Sequence, residues 1–329
     1  MAVLNRDRRL ELGRSTFLKG LGALGASIFA SERFGLPSIA MAAAGTTQPT
    51  EIAQGIFVHR GRNALVNAEN VGDIANTSFI VGNDAVAVID TGGSARVGQE
   101  LLRAIRSATD KPIRYVINSH MHPDHVLGNA AFEADKPEFI AHHKMARGLS
   151  ARAERYLSRT KEQIGEAAFE GTKIIFPTRV VETALAIDLG GRTLTMVARP
   201  TAHTDNDLTI FDPTTGTLFL GDLLFSEHVP TLDGSILGWL KLISVLRKET
   251  AQRVVPGHGP AAMSWPDALT PLEDYWSLIA REVRAAIAQG KTLSEATETV
   301  GQSERSKWQL FDEHHVRNVT AAFAELEWE

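Results

Sequence analysis

The stretch Asn118-Ser-His-Met-His-Pro-Asp-His125 places four metal-competent side chains within six residues. It follows a predicted strand and precedes Gly128 and a predicted helix. His120 and His122 are two residues apart, so in an extended segment both side chains project to the same side. Asp124 and His125 come after a proline, where the chain turns, and they can face a second point in space. We interpret the stretch as parts of two neighbouring metal sites, one for each pair.

Neither pair is a complete site, because catalytic zinc usually takes three protein ligands and a water. The missing ligands should lie on loops at strand ends, close to the cluster. Three side chains have that placement: His203 in the segment 201–207, Asp222 at the end of the apolar run 218–221, and His258 between two glycines after a strand. Asp90 closes a further strand, 85–89.

The composition limits the kinds of site that the chain can build. The 329 residues are 43% apolar and 22% charged, which is typical of a globular protein. Cysteine is absent, so any metal must be held by histidine and carboxylate ligands. The net charge of −5 and the lack of a phosphate-binding glycine loop argue against nucleic acid as a partner. No apolar run reaches 18 residues, so we expect no stable membrane span.

The first 44 residues have the layout of a secretory signal peptide. Residues 6–19 carry five basic side chains, residues 20–30 are apolar and rich in Gly and Ala, and residues 37–45 hold small residues at A-x-A spacing. The segment 14–19 resembles the twin-arginine export pattern R-R-x-F-L-K, with Ser15 in place of the second arginine. We expect cleavage after Ala42 or Ala44 and export to the bacterial periplasm by the twin-arginine or Sec route. The alternative is an amphipathic N-terminal helix.

Short runs of Val, Ile, Leu and Phe alternate with helical stretches in the rest of the chain. This mixture predicts a layered α/β domain with a mixed sheet, spanning residues 45–265. The tail 266–329 is predicted to be a helical extension packed on that domain. Helices are predicted over 96–108, 143–168, 236–250, 267–288 and 314–326. The stretch 236–246 places its apolar residues on one face, which indicates a buried amphipathic helix.

The chain resembles the metallo-β-lactamase-fold superfamily over about residues 55–265. The five motifs of that superfamily match, in order, Asp90, HxHxDH at 120–125, His203, Asp222 and His258. The resemblance implies an α/β fold of four layers, an αββα sandwich, with two metal ions at one edge of the sheets. It implies two Zn²⁺, with iron or manganese as alternatives. The implied ligands are His120, His122 and His203 for the first metal, Asp124, His125 and His258 for the second, and Asp222 for both. Asp90 would orient the ligand loop through hydrogen bonds.

The same resemblance implies a hydrolase in which a metal-bridging hydroxide cleaves a small ester, thioester, lactone or amide. Bound zinc makes such a nucleophile available near neutral pH. The second metal, or the proton-accepting face of Asp124, would assist the leaving group, and His228, six residues after Asp222, should lie near the pocket rim. With Asp90, these are the catalytic candidates. Zinc β-lactamases have Cys or Ser at the position of Asp222, so β-lactamase activity is not expected.

The whole chain also resembles the exported quinoprotein relay system zinc metallohydrolases. The signal peptide, the AHTDNDL stretch at 202–208 and the stretch 232–239 carry this resemblance. Two alternatives stay open: a mononuclear iron persulfide dioxygenase on the same scaffold, and a metal-binding accessory factor of a quinoprotein system that does not turn over. The oligomeric state stays open as well.

A basic stretch, 144–161, places Arg152, Arg155 and Arg159 on one helical face. It has two interpretations: a cationic wall for a small anionic substrate, or a solvated helix face, which we favour on the sequence alone. The histidines outside the proposed site are interpreted as surface or core residues: His59, His142, His143, His314 and His315.

Overall fold

In the computed structural model, which describes residues 48–329, the short apolar runs form two β-sheets that pack face to face. Alternate residues of each strand point into the space between the sheets. Ile80 and Ile117 of the first sheet meet Ile210 and Phe219 of the second in one apolar cluster. The predicted signal peptide, 1–44, lies outside the described residues.

The first sheet has seven strands in sequence order, and only its second half is parallel. A meander of antiparallel strands, β1 to β4, leads into the parallel run β4 to β7. The strands are β1 Thr50–Ala53, β2 Ile56–His59, β3 Thr77–Val81, β4 Val86–Ile89, β5 Ile113–Ile117, β6 Glu138–His142 and β7 Arg179–Val181.

The second sheet has six strands in the order β13-β12-β11-β10-β9-β8, with one parallel pair, β11 and β12. Its strands are β8 Ala184–Asp188, β9 Thr193–Ala198, β10 Leu208–Asp212, β11 Thr217–Phe225, β12 Arg253–His258 and β13 Met263–Ser264. Every residue of β11 is buried, because the strand is covered on both faces.

Helices cover the outer faces of both sheets. They are α1 Ala95–Ala108, α2 Pro123–Val126, α3 Met145–Ile164, α4 Glu166–Phe169, α5 Ile236–Leu246, α6 Thr270–Ala288, α7 Leu293–Thr299 and α8 Phe311–Leu326. Leu101 of α1 packs on the first sheet, whereas Trp239 of α5 and Trp276 of α6 pack on the second. The resulting order of helix, sheet, sheet, helix confirms the predicted four-layer sandwich.

The predicted helix bounds were wrong where glycine or local capping ends a helix. The stretch 143–168 breaks at Gly165, whose φ of +84° interrupts the helix between α3 and α4. The stretch 236–250 ends at Leu246, and a short 3₁₀ helix precedes α6. The helix predicted after Gly128 begins earlier, at Pro123, and continues as a 3₁₀ helix to Asp135.

The tail after residue 265 shares one apolar core with the second sheet. Val319 and Phe323 of α8 belong to the same cluster as Leu220 of β11 and Trp239 of α5. Trp328 is 83% exposed and is not part of it. Within the described part of the chain, every helix is too short or too polar to cross a bilayer.

Candidate metal centre

The predicted ligands come together from five structural elements. His120 and His122 lie in the loop after β5, and Asp124 and His125 lie in α2, which starts at Pro123. His203 comes from the loop between β9 and β10, and His258 is the last residue of β12. Asp222 corrects one expectation: it lies inside β11 and not on a loop.

The first group of donor atoms is His120 Nε2, His122 Nδ1, His203 Nε2 and one carboxylate oxygen of Asp222. His203 Nε2 lies 3.0 Å from His122 Nδ1 and 3.3 Å from His120 Nε2. Asp222 Oδ2 lies 3.4 Å from His203 Nε2 and 3.6 Å from His120 Nε2. Four donors around one point match the coordination that zinc prefers.

The second group is Asp124 Oδ2, His125 Nε2 and His258 Nε2, with the other oxygen of Asp222. Asp222 Oδ1 lies 3.1 Å from His125 Nε2 and 3.4 Å from His258 Nε2. His258 Nε2 is 3.3 Å from Asp124 Oδ2. Asp222 therefore offers one oxygen to each group, as the family resemblance implies for a bridging ligand.

The outer nitrogen of every ligand imidazole is bonded to an acceptor outside the centre. His122 Nε2 donates to Asp233 Oδ2 at 2.9 Å, and His125 Nδ1 donates to Asp90 Oδ2 at 2.9 Å. His203 donates to the Thr231 carbonyl at 2.7 Å, and His258 donates to the Ile74 carbonyl at 2.9 Å. His120 Nδ1 bonds to Ser119 Oγ at 3.0 Å. Each neutral ring then carries its lone pair on the inward nitrogen, since the other nitrogen holds the hydrogen.

Inward lone pairs that face one another at 3.0–3.6 Å repel unless a cation lies between them. His125 Nε2 and Asp222 Oδ1 are buried and have no hydrogen-bond partner within residues 48–329, although they are 3.1 Å apart. Unpartnered buried polar atoms need an explanation, and a metal ion supplies one. The donor set, imidazole and carboxylate without sulfur, suits zinc, iron or manganese.

Electrostatics divide the two groups. Burial and the neighbouring His125 lower the pKa of His120, and burial lowers the pKa of His203 to about 3, so both rings stay neutral and ready to coordinate. Burial alone would lower the pKa of His258, but Asp222 and Asp124 outweigh it and raise that pKa to about 9. A proton on His258 therefore takes the place of the cation when no metal is bound.

Asp90 supports the ligand loop from outside the centre. Its Oδ1 accepts from the Ser119 amide at 2.7 Å, and its Oδ2 accepts from Ser119 Oγ at 2.7 Å and from His125. Asp90 adopts a positive φ of +55°, which aspartate tolerates better than most residues. Since Asp90 contacts ligands and does not line the cleft, its geometry is that of a positioning residue.

His228 lines the cleft beside the second group. Its ring centroid is 4.7 Å from that of His258, and its Nδ1 donates to the Val229 carbonyl at 2.9 Å. Burial and His258 lower the pKa of His228 to about 3, so the ring is neutral. Its catalytic role stays a prediction.

Asp233 is the functional residue that the sequence reasoning missed. Besides His122, its carboxylate accepts from Arg152 of α3 and, at 3.3 Å, from Arg317 of α8. Burial would raise its pKa, but His122 and Arg152 outweigh burial and hold the pKa well below its usual range. In the sequence, Asp233 is marked only by its place in the stretch 232–239, which carries the family resemblance and indicates no contact with His122.

Two glycines make room for the bridging carboxylate. A Cβ on Gly257 would lie 2.0 Å from Asp222 Oδ1, so only glycine fits beside the bridge. Gly221 has a φ of +51°, and a Cβ there would lie 2.6 Å from Ser119. The parallel pairing of β11 and β12 is irregular at Gly221, and this irregularity sets the position of Asp222.

The centre opens into a cleft with a volume of about 210 Å³. His122, Asp124, Asp222 and His258 lie at its base. Its walls come from the segment 64–66, from α3 and from the start of α8. The C-terminal extension therefore contributes directly to the cleft.

Comparisons with known proteins agree with this geometry. The sequence model described as the metallo-beta-lactamase superfamily matches residues 70–258, more than half of the chain. Among curated relatives, Beta-lactamase-like protein 2 homolog of Caenorhabditis elegans is 22% identical over 187 residues, 56% of this chain and 55% of that protein. A linear primary-alkylsulfatase from Pseudomonas sp. is 34% identical over 53 residues, 16% of this chain and 10% of that protein. The chain thus spans about half of the first relative and a tenth of the second.

Solved structures share the fold at low sequence identity. A metallo-beta-lactamase from Pontibacter korlensis has a TM-score of 0.56 and 18% identity, covering 70% of this chain and 98% of that chain. A stereoselective inverting sec-alkylsulfatase from Pseudomonas sp. has a TM-score of 0.62 and 16% identity, covering 84% of this chain and 49% of that chain. These likenesses establish the fold alone. Together with the family match over 70–258, they lead to one conclusion: the chain belongs to the metallo-beta-lactamase superfamily.

Proposed function

We propose that this protein is a binuclear zinc hydrolase that cleaves a small ester, thioester, lactone or amide. The observation that carries the proposal is the convergence of five inward imidazole nitrogens on the two oxygens of Asp222. Two bound divalent cations supply an activated water as nucleophile and polarise the bond to be cleaved. The second donor group is as complete as the first, which favours a two-metal hydrolase over a mononuclear iron dioxygenase.

The chain's own residues do three further things in this proposal. Asp222 would offer one oxygen to each cation, and Asp233 and Asp90 fix the rings of His122 and His125. Asp124 lines the cleft beside His258; burial would raise its pKa, but His125 and His258 outweigh burial and hold that pKa well below its usual range, so the ionised carboxylate can accept a proton during the reaction. Phe225 and Tyr156 add aromatic surface to the lining of the cleft.

Export to the periplasm and membership of the quinoprotein relay group are part of the same proposal. They rest on the signal-peptide layout of residues 1–44 and on the stretches 202–208 and 232–239. A sulfate ester belongs among the candidate substrates, because two of the similar proteins are named alkylsulfatases.

Asp124→Asn tests the mechanism in the zinc-loaded protein. The wild type should hydrolyse at least one member of a panel of carboxylic esters, thioesters, lactones, amides and sulfate esters, and a chelator should abolish that activity. In excess zinc, the variant should lose about 10²–10⁴-fold in kcat with a smaller change in KM, as expected for a lost proton-transfer group. An unchanged kcat would remove Asp124 from the mechanism, and a zinc-loaded wild type inactive on every class would contradict the function.

A further inference from the structure

One face of α3 lines the cleft along most of its length. The cleft-lining residues recur three and four positions apart, as one helical face requires: Arg152, Arg155, Tyr156, Arg159, Thr160 and Gln163. Three of the six are arginines, where a face packed on the protein would carry apolar side chains. The part of this face that lines the cleft is therefore polar and positively charged.

The arginines on this face differ in their partners. Arg152 is bonded to Asp233 through both guanidinium nitrogens. Arg155 and Arg159 form no ion pair with an acidic residue anywhere in 48–329, and both are exposed to the cleft. By contrast, Arg147 and Lys161 of the same helix, which do not line the cleft, are paired with Asp205 and Glu166.

The C-terminal extension adds a further cation to the cleft. Arg317 of α8 lines the cleft and donates to Asp233 Oδ1 at 3.3 Å, an oxygen that also accepts from Arg152. The other acidic residues of the cleft, Asp124 and Asp222, belong to the metal groups. No carboxylate in the cleft is left to neutralise Arg155 and Arg159, so the field there favours an anion.

Apolar side chains stand beside these cations. Leu65 and Val66 line one side of the cleft and Leu310, at the start of α8, lines another. Leu65 is 46% exposed, although its large apolar surface favours contact with a ligand. The cleft thus combines a short apolar surface with guanidinium groups whose planar donors match a carboxylate, sulfonate or phosphate.

The spacing along α3 separates this anion position from the metal centre. Arg152 is tied through Asp233 to the ligand His122, whereas Arg159 lies seven residues further along the helix. At 1.5 Å per residue, that is about 10 Å along the helix axis. An oxyanion held near Arg159 would therefore be remote from a bond cleaved at the metals.

We propose that Arg155 and Arg159, in the cleft that Arg317 also lines, form a subsite for an oxyanion that the substrate carries away from its scissile bond. A short hydrocarbon segment next to that oxyanion lies against Leu65 and Leu310. The substrate class is an ester, or a related bond, in an amphiphilic anionic molecule. This inference rests on the proposed function. It replaces the interpretation favoured from the sequence alone, in which the basic stretch 144–161 is a solvated helix face.

Kinetics with a matched pair of esters test the subsite in the zinc-loaded full chain. Both share one scissile bond and one chain length, and one ends in a carboxylate, the other in a carboxamide. The double variant R155Q/R159Q should raise the carboxylate-to-carboxamide ratio of KM values about tenfold. The control R103Q/K161Q removes the same charge from residues outside the cleft, both paired with glutamates, and should leave the ratio unchanged. Equal ratios for the wild type and R155Q/R159Q would overturn the proposal.

Calorimetric binding of hexanesulfonate separates this proposal from the proposed hydrolysis. The probe should bind zinc-loaded and chelator-treated protein alike, and about tenfold more weakly to R155Q/R159Q. Binding that disappears on chelation but survives in R155Q/R159Q would assign the anion to the metals and overturn the subsite. The absence of binding to both the zinc-loaded and the chelator-treated protein would overturn it as well. Arginine-dependent binding in a protein that hydrolyses nothing would support the subsite and contradict the hydrolase function.

Discussion

Each ligand ring at the centre is fixed by what lies behind it. Because the outer nitrogens donate to Asp233, Asp90, Ser119 and two backbone carbonyls, the orientations of the rings are set before any metal arrives. A pre-set orientation lowers the cost of assembling the site, since no ring has to turn to bring its inward nitrogen to the metal position.

Replacing Asp233 with Asn should weaken the first metal position more than the second. The amide lacks the charge that orients His122 and balances Arg152, and the loss of such an outer partner typically costs 10–100-fold in metal affinity. Competition titration with a zinc chelator measures the two affinities, and Asp135→Asn, in a surface ion pair with Arg106, serves as control. Equal zinc affinities for Asp233→Asn and the wild type would show that the carboxylate does not support His122.

At this scale, the sequence predicted which side chains meet but not what holds them. The HxHxDH spacing and three strand-end residues were sufficient to select the seven candidate ligands. The partners of His203 and His258 are the carbonyls of Thr231 and Ile74, and a backbone carbonyl leaves no residue signal. Asp233 lies more than 100 residues from His122, so only the fold brings them together.

Among the elements, the pair β11 and β12 determines where the bridging oxygens lie. The sequence predicts Asp222 on a loop because the apolar run 218–221 ends directly before it. The strand continues to Phe225, since Gly221 accommodates the irregular pairing with β12. Strand ends of this kind depend on tertiary pairing and are not visible in the local pattern.

Gly257→Ala should disrupt the metal centre without removing any ligand. The new Cβ would lie 2.0 Å from Asp222 Oδ1, so the carboxylate must move away from the second metal position. We expect bound metal to fall from two ions to at most one, measured by elemental analysis after gel filtration. Gly290→Ala, at a positive φ with open space around its Cβ, should cost about 1 kcal/mol in the free energy of unfolding and retain both ions. Full metal retention in Gly257→Ala would contradict the placement of the bridge.

For the whole molecule, the C-terminal extension is joined to the centre by a buried polar residue. Asn318 of α8 accepts from the Leu232 amide at 2.9 Å and donates to the Pro230 carbonyl at 2.6 Å. Those two residues flank Thr231, whose carbonyl holds His203. The tryptophan-rich, helical tail is predicted from the sequence to pack on the domain. The sequence did not predict that α8 lines the cleft, because that depends on the tertiary position of the helix.

Asn318→Ala should therefore reduce stability more than an ordinary helix substitution. It would leave the buried Leu232 amide and Pro230 carbonyl without their partner, at a cost of about 2–4 kcal/mol in the free energy of unfolding. Urea denaturation of the metal-loaded protein measures this, with Thr320→Ala as control, since Thr320 bonds only within its own helix. Equal losses in the two variants would show that Asn318 does not anchor the helix.

The most direct test is a count of the divalent ions in the purified wild type and in Asp222→Ala. Elemental analysis of zinc-reconstituted protein should give two ions per wild-type chain. The variant should hold at most one, because both groups lose a shared oxygen ligand. A wild type that retains no divalent ion, or an Asp222→Ala variant that retains two, would contradict the binuclear centre.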